Sequence, residues 1–134
     1  MNEITERPWG TYRIIEESDK YKIKEIIVNS GKRISLQSHE KRDELWKLIS
    51  GKWKITLGTL NIVDIDRVII KRGNKHRVEN IDSEPLVFIE IQTGDSFDES
   101  DVIRYEDDYG RVKLNDNPPK QPEPELPRLQ KGWL

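Results

Sequence analysis

Short runs of β-type residues, each ended by turn residues, follow one another between residues 10 and 92. Apolar residues such as Ile55 and Leu57 alternate with polar neighbours, and a period of two predicts strands that bury one face. In the last run, Val87, Ile89 and Ile91 alternate with Phe88, Glu90 and Gln92. The nine runs are TYRII, YKIKEIIV, RISLQ, ELWKLI, KWKITL, LNIVDI, RVIIKRG, HRVEN and PLVFIEIQ. So many short strands predict an all-β sandwich or barrel.

The pattern changes after Gln92. Residues 94–111 are acidic and carry aromatic side chains without strict alternation, so we expect a loop or short helical turn lying back on the barrel. Residues 115–134 hold five of the seven prolines, too many for a helix or a central strand. We therefore predict one domain over residues 1–114 and an irregular, extended tail over 115–134. The tail is either disordered or packed on its own subunit, or it docks on a neighbouring subunit through Trp133 and Leu134.

The composition and charge of the chain exclude several classes of binding partner and metal site. Charged residues make up 36% of the chain and hydrophobic residues 34%, so a thin core is expected. The net charge is only -2 with both signs interleaved, which gives no basic stripe for nucleic acid. The chain has no cysteine, which excludes disulfides and thiolate metal sites. No apolar segment has the length of a membrane span or a secretion signal, so a cytoplasmic protein without a membrane partner is expected.

Four side chains with nitrogen or oxygen donors are spaced so that they could converge. Gln37 and His39 are two apart on a predicted strand and so point the same way. Glu44 begins the next strand after a four-residue turn, and a second hairpin returns the chain so that His76 enters from an adjacent strand. We predict that these four residues bind one divalent metal ion. Zinc is the first expectation, and manganese, iron, cobalt and nickel are alternatives.

The alternative is that the histidines are structural, because a histidine on a strand is more often hydrogen-bonded than bound to a metal. The chain has only two histidines. Both belong to the predicted cluster and each lies near a glycine-bounded turn, which favours the metal site.

Several motifs, in order, resemble one family. From residue 7 to about residue 111, the chain resembles the C-terminal mannose-6-phosphate isomerase domain of bifunctional type II phosphomannose isomerase/GDP-mannose pyrophosphorylases. That domain belongs to the cupin superfamily, so the resemblance implies a double-stranded β-helix or jelly-roll barrel. The motifs are RPWG (7–10), YKIK (21–24), LQSH (36–39), GNKHRVEN (73–80), EIQTG (90–94) and DVIRYEDDYGR (101–111).

The chain departs from the family pattern around the predicted ligands. The family usually has three consecutive histidines, of which only His39 remains, followed by Glu40 and Lys41. Another frequent histidine is replaced by Leu45. The pyrophosphorylase half of the bifunctional proteins is missing, so nucleotidyl transfer is not expected. The four predicted ligands are all present.

The resemblance implies a metal-dependent sugar-phosphate isomerase that interconverts mannose 6-phosphate and fructose 6-phosphate. A divalent ion would stabilise charge on the sugar oxygens, and a base must abstract a proton. The candidate bases are Lys22, Glu90 and a loosely bound Glu44. The phosphate would be bound by a guanidinium, with Arg111 favoured and Arg42 and Arg77 as further candidates.

The missing histidines favour a second hypothesis, a non-catalytic cupin that binds a sugar or a small anionic metabolite. Either hypothesis makes the ligand a small molecule of the sugar-phosphate kind. Small open barrels expose edge strands, and the segment 7–15 is placed to add to a neighbouring sheet. A homodimer is therefore expected.

Overall fold

The computed structural model describes residues 3–111 of the chain. Every regular element in this range is a β-strand, apart from one 3-10 turn at Glu99–Asp101, and none is a helix long and apolar enough to cross a bilayer. The tail predicted over 115–134, and with it the boundary after residue 114, lies outside the described residues. The strands are β1 (Ile4–Arg7), β2 (Gly10–Glu17), β3 (Tyr21–Val28), β4 (Leu36–His39), β5 (Arg42–Ser50), β6 (Trp53–Leu57), β7 (Leu60–Ile62), β8 (Arg67–Ile70), β9 (His76–Asn80), β10 (Leu86–Gly94) and β11 (Val102–Glu106).

The strands form two antiparallel sheets, one of six strands in the order β1-β2-β3-β10-β5-β8 and one of five in the order β11-β4-β9-β6-β7. From β3 onward, every connection except β6 to β7 takes the chain across to the other sheet. This alternation is the jelly-roll arrangement, and it confirms the predicted all-β fold. No strand ladder joins the two sheets within residues 3–111. The two sheets are therefore not closed into a barrel, and they face each other as the sandwich of a jelly roll.

The core lies between the sheets and is rich in aromatic rings. Trp46 of β5 and Phe88 of β10 pack on Trp53 of the facing β6, with ring centroids 6.4 and 5.6 Å from that of Trp53. Such pairs contribute about 0.5–1.5 kcal/mol each beyond the burial of their area. Ile55 and Leu57, predicted to face inward, are buried beside them.

Along strand β10, the buried side chains change from apolar to polar. Its alternation is as predicted, but Phe88, Glu90 and Gln92 are the buried set, whereas the apolar residues Val87, Ile89 and Ile91 are only half-buried. Neighbours of β10 on both sides, β3 and β5, place this face against the opposite sheet. The interior therefore changes from aromatic at Phe88 to carboxylate and amide at Glu90 and Gln92.

The segment 94–111, expected to be a loop or helical turn, contains both the 3-10 turn and strand β11, which pairs with β4. Several side chains fix it to the sandwich. The Asp101 carboxylate accepts hydrogen bonds from the backbone amides of Glu40 and Lys41, at 3.2 and 2.9 Å. The Tyr109 hydroxyl donates to the carbonyl of Arg33 at 3.0 Å. The acidic segment is thus part of the five-stranded sheet and packs against the sandwich.

A close backbone approach fixes the start of β5. Gly94, at the end of β10, has a φ of +147°, and a Cβ on it would lie 2.4 Å from the Lys41 carbonyl oxygen and 2.8 Å from the Arg42 Cα. Only glycine allows this contact without displacing the backbone. The contact therefore sets the position of Arg42 and of Glu44, two residues further along.

Candidate metal centre

Three predicted ligands meet at the polar end of the core. His39 ends β4 and His76 begins β9 in the five-stranded sheet, while Glu44 reaches them from β5 in the facing sheet. One ligand atom from each residue lies within 4.8 Å of the other two. The Glu44 carboxylate is 3.2 Å from His39 Nε2 and 3.9 Å from His76 Nε2. All three side chains are buried, so the cluster is part of the interior.

Gln37, the fourth predicted ligand, lies beside this cluster. It pairs with His76 in the ladder between β4 and β9, and cross-strand partners point to the same face of a sheet. Its side chain lines the same pocket as His39 and Glu44, and its amide oxygen lies 3.4 Å from the Ser35 hydroxyl. The Gln37 amide oxygen is thus available beside the cluster of His39, Glu44 and His76.

Both imidazoles are neutral at physiological pH, as metal ligands must be. Burial lowers the pKa of His76 to about 4. Burial, together with His76 and the Arg42 guanidinium, lowers the pKa of His39 to about 2. His76 Nδ1 lies 2.9 Å from the Asn74 carbonyl oxygen, so Nδ1 carries the proton and Nε2 presents its lone pair. Within residues 3–111, His76 Nε2 is buried without a hydrogen-bond partner, and His39 presents its Nε2 to the Glu44 carboxylate. These donors fit a divalent ion.

Arg42 occupies the space beside the cluster. Its Nε donates to the Glu44 carboxylate at 2.9 Å, and its Nη2 lies 3.4 Å from His39 Nε2. Burial disfavours its charge, but the carboxylates of Glu44 and Glu90 outweigh burial and raise the pKa of Arg42. Arg42 therefore stays charged and holds Glu44 in place.

Glu90 and Trp46 extend the polar network away from the cluster. The Trp46 indole N–H lies 3.1 Å from carboxylate oxygens of both Glu44 and Glu90, and the Gln92 amide donates to Glu90 at 2.7 Å. Burial and the nearby Glu44 carboxylate raise the pKa of Glu90 to about 7. Glu90 can therefore hold or release a proton near neutral pH.

The cluster lies in a pocket that opens between β3, β4 and β11. Lys24 of β3 is buried in its wall, where its ammonium lies 3.1 Å from the Glu99 carboxylate and 4.4 Å from the centre of the Tyr12 ring. Trp46 and Phe88 supply apolar wall, and Arg104 and Arg111 also line the pocket. The site is thus a carboxylate and imidazole cluster reached through a cationic opening.

The structure separates the other predicted site residues into two groups. Glu90, Arg42 and Arg111 line the pocket. Lys22 does not line it and lies 3.8 Å from Glu17. Arg77 also lies outside it, because its Nε donates to the Ile34 carbonyl at 2.9 Å. The structure therefore does not bring Lys22 and Arg77 to the pocket, and their expected roles as a base and a phosphate ligand stay predictions.

Four charged residues that line the pocket were missed by the sequence analysis, namely Arg7, Lys24, Glu99 and Arg104. Lys24 shares the alternation of Ile26 and Val28, and this phase could have identified it as inward-facing. Arg104 lies on β11, which was expected to be a loop, so no face could be assigned to it.

Solved structures share this fold. CapF, a capsular polysaccharide assembling protein from Staphylococcus aureus, aligns with a TM-score of 0.67 over 77% of this chain and 34% of that chain, at 20% identity. Oxalate decarboxylase from Bacillus subtilis aligns with a TM-score of 0.66 over 77% of this chain and 30% of that chain, at 16% identity. Similarity at these identities concerns the fold alone, and it confirms the predicted cupin fold.

Sequence relatives point to mannose metabolism. Mannose-1-phosphate guanylyltransferase from Escherichia coli (strain K12) is 38% identical over 108 residues, which are 79% of this chain and 23% of that enzyme. The alginate biosynthesis protein AlgA from Pseudomonas aeruginosa is 36% identical over 108 residues, 79% of this chain and 22% of that protein. The chain spans about a quarter of the length of the curated relatives it matches.

These relatives overturn the function expected from the sequence. A sugar-phosphate isomerase was expected, interconverting mannose 6-phosphate and fructose 6-phosphate. Several relatives are instead named mannose-1-phosphate guanylyltransferases, and guanylyl transfer is a nucleotidyl transfer rather than an isomerisation. The prediction of an isomerase is therefore wrong, while the relation to enzymes of mannose metabolism is confirmed.

A family model gives the same lineage. The model described as "Mannose-6-phosphate isomerase C-terminal" matches residues 1–107. This range contains all four predicted ligands and ends just after β11. Membership of a family indicates fold and ancestry, whereas activity has to be argued from the residues of the site. The chain belongs to the mannose-6-phosphate isomerase C-terminal family of cupins.

Proposed function

We propose that this chain is a metal-binding cupin module that serves guanylyl transfer to mannose 1-phosphate, and that its metal centre binds a mannose compound of that reaction. The observation that carries the proposal is the convergence of His39, Glu44 and His76 within 4.8 Å of one another in a buried pocket. The names of the relatives suggest the reaction.

The donor set indicates which metals to expect. His39 and His76 offer neutral nitrogens, Glu44 a carboxylate oxygen and Gln37 an amide oxygen. Zinc accepts this combination readily, with manganese, iron, cobalt or nickel as alternatives. A divalent ion held by these residues would polarise an oxygen of the bound mannose compound.

Side chains around the centre have roles that do not depend on the metal. Trp46 and Phe88 exclude water from the inner wall of the pocket. Glu90, held by hydrogen bonds from the Trp46 indole and the Gln92 amide, is placed to exchange a proton with a ligand hydroxyl. The buried Lys24 ammonium is held in the wall of the pocket by its ion pair with Glu99 at 3.1 Å.

A single isosteric substitution tests the metal centre. Glu44→Gln removes the only carboxylate of the three-residue cluster while keeping its shape. We expect the variant to bind zinc at least about tenfold more weakly than the wild type, because even residues that only support metal ligands change affinity by about 10–100-fold. Elemental analysis after dialysis and calorimetric titration with zinc measure this.

Glu25→Gln is the matched control. Glu25 lies on β3 outside the pocket and carries the same charge. Its carboxylate pairs with Arg13 at 2.8 Å. We expect this variant to bind zinc like the wild type. Equal binding by both variants, or no zinc bound by the wild type, would contradict the metal centre.

The second half of the proposal is tested with mannose 1-phosphate. Wild-type protein is titrated with this sugar phosphate after zinc loading and again after treatment with EDTA. We expect clearly tighter binding by the zinc-loaded protein. The same affinity in both states would show that the metal centre does not take part in ligand binding.

A further inference from the structure

The Arg42 guanidinium contacts the very atoms that would hold a metal ion. Its Nε donates to Glu44 Oε2 at 2.9 Å, and the same carboxylate oxygen lies 3.2 Å from His39 Nε2. Its Nη2 lies 3.4 Å from that histidine nitrogen. The Arg42 side chain is only 3% exposed, so it is enclosed together with these atoms. Arg42 therefore contacts two of the three side chains in the cluster.

The contact between Arg42 and His39 uses the lone pair that a metal ion would need. Arginine has hydrogen-bond donors only, so His39 Nε2 is the acceptor in this contact. A neutral imidazole nitrogen offers a single lone pair, which accepts a hydrogen or binds a metal ion, but not both. His39 Nε2 is also the nitrogen that faces the Glu44 carboxylate. The Arg42 guanidinium and a divalent ion therefore exclude each other at this atom.

The buried cations of the pocket already have carboxylate partners. Arg42 pairs with Glu44 at 2.9 Å, and Lys24 pairs with Glu99 at 3.1 Å. Burial disfavours the charge of Arg42, but the carboxylates of Glu44 and Glu90 outweigh burial and raise its pKa. A divalent ion beside Glu44 would add two positive charges close to this guanidinium. Like charges that are shielded from water repel each other strongly.

Arg42 also neutralises Glu44 from within the protein. A buried carboxylate without a cation beside it is strongly destabilising. Arg42 and Glu44 are two residues apart on β5, so their side chains share the inner face of the sheet. The close approach of Gly94 to the Arg42 backbone fixes where this pair lies. The charge of Glu44 is thus balanced without the help of a metal ion.

We propose that Arg42 is an internal cation that competes with the divalent ion for Glu44 and His39, so that the metal centre binds its ion reversibly. This inference rests on the proposed function, because it concerns the same centre. Arg42 is a positioning residue in this scheme, since it holds Glu44 and has to turn away from His39 before the ion is bound. The centre would then differ from a structural metal site, whose ion is needed for folding.

Calorimetric titration of the full-length chain with zinc tests the competition. We expect Arg42→Gln, which removes the charge, to bind zinc at least about tenfold more tightly than the wild type, because residues that support metal ligands change affinity by about 10–100-fold. Arg42→Lys keeps a positive charge but not the planar fork, and its affinity should lie between the two. Arg13→Gln is the control, because Arg13 pairs with Glu25 at 2.8 Å outside the pocket, and it should bind zinc like the wild type.

Thermal melts give a second measurement, which a purely structural role of Arg42 would not affect in the same way. After treatment with EDTA, Arg42→Gln should melt at a lower temperature than the wild type, because Glu44 is then buried without a cation. Saturating zinc should raise the melting temperature of Arg42→Gln by more than that of the wild type, because the ion supplies the charge that the substitution removed. An equal rise in both proteins would overturn the inference.

The calorimetric outcomes separate this inference from the proposed function. If the wild type binds zinc and Arg42→Gln binds it equally or more weakly, the competition is overturned and the metal centre stands. If only Arg42→Gln binds zinc, the competition stands and the proposed function of the wild-type chain fails. If Arg42→Gln does not fold, Arg42→Lys decides, and a zinc affinity at or below that of the wild type would overturn the inference.

Discussion

At the scale of single residues, the candidate site is marked by polar atoms that the protein itself leaves unsatisfied. Folded proteins pair nearly all buried donors and acceptors. Within residues 3–111, His39 Nδ1, His76 Nε2 and Arg104 Nε are buried without a partner. His39 and Arg104 line the same pocket and His76 belongs to the cluster with His39 and Glu44, so these atoms mark the region of the candidate site.

Arg104 is expected to lower the stability of the fold. Burial and the guanidinium groups of Arg111 and Arg7 lower its pKa, so its charge is disfavoured in the folded state. We expect Arg104→Gln to raise the free energy of unfolding. The gain should be only a few tenths of a kcal/mol, since the group is partly exposed and screened. Thermal melts measure the change, and a lower melting temperature of Arg104→Gln would contradict the prediction and make Arg104 a structural residue.

Residue spacing in the sequence predicted which side chains converge better than it predicted the cations of the pocket. Strand alternation and hairpin return, both of which depend on local sequence, brought His39, Glu44 and His76 together, as the structure has them. Lys22 was chosen as a candidate base and Arg77 as a guanidinium, each by residue type alone, and neither lines the pocket. The partner of a long, flexible cation depends on contacts distant in sequence, which spacing does not encode.

At the scale of elements, alternation found the strands that have one buried face and missed β1 and β11, which do not. Strand β6 alternates between buried and half-buried residues, as Ile55 and Leu57 predicted. In β11, residues 102–105 are all half-buried, so its sequence has no period of two to detect. For β10 the period was correct, but the choice of inner face depends on pairing with β3 and β5.

The close contact at Gly94 predicts a large effect from a small substitution. Gly94→Ala would place a Cβ 2.4 Å from the Lys41 carbonyl oxygen, which the backbone cannot accommodate without moving. We expect a loss of about 2–4 kcal/mol in the free energy of unfolding, together with weaker zinc binding, because β5 carries Glu44. Denaturant titration and zinc calorimetry measure the two effects.

Gly31→Ala is the matched control for backbone conformation. Gly31 has a φ of +74°, but no atom lies within 4 Å of a Cβ built on it. The free energy of unfolding of this variant should fall by only about 1 kcal/mol, the cost of alanine in the left-handed conformation, and its zinc affinity should be unchanged. Equal losses in both variants would show that φ, rather than the contact with β5, makes Gly94 necessary.

At the scale of the whole molecule, the free edge of the six-stranded sheet bears on the expected homodimer. The segment 7–15, expected to add to a neighbouring sheet, lies mostly in β2, which is paired on both sides by β1 and β3. Among residues 3–111, the edge strand at this end of the sheet is instead β1, where Ile4 is 66% exposed. We therefore expect two copies to associate through β1.

Light scattering at micromolar concentration tests this association. We expect a dimer mass for the wild type and at least a tenfold weaker association for Ile4→Lys, because a lysine on an edge strand opposes pairing. Ile49→Lys makes the same change at an exposed position of β5, which lies inside the sheet, and should leave the dimer intact. A monomeric wild type would refute the prediction.

Strand pairing fixes the spacing of Arg104, Gln37 and His76 along the sheet. The distance from the Arg104 backbone to the metal centre is set by backbone hydrogen bonds across β11, β4 and β9, and not by the reach of side chains. Point substitutions can alter the side chain at either end, but they cannot change this distance. Only an insertion or deletion in a strand could reset it, and β11 already has a register shift directly after Arg104. Relatives that differ at this bulge would then have pockets of a different length.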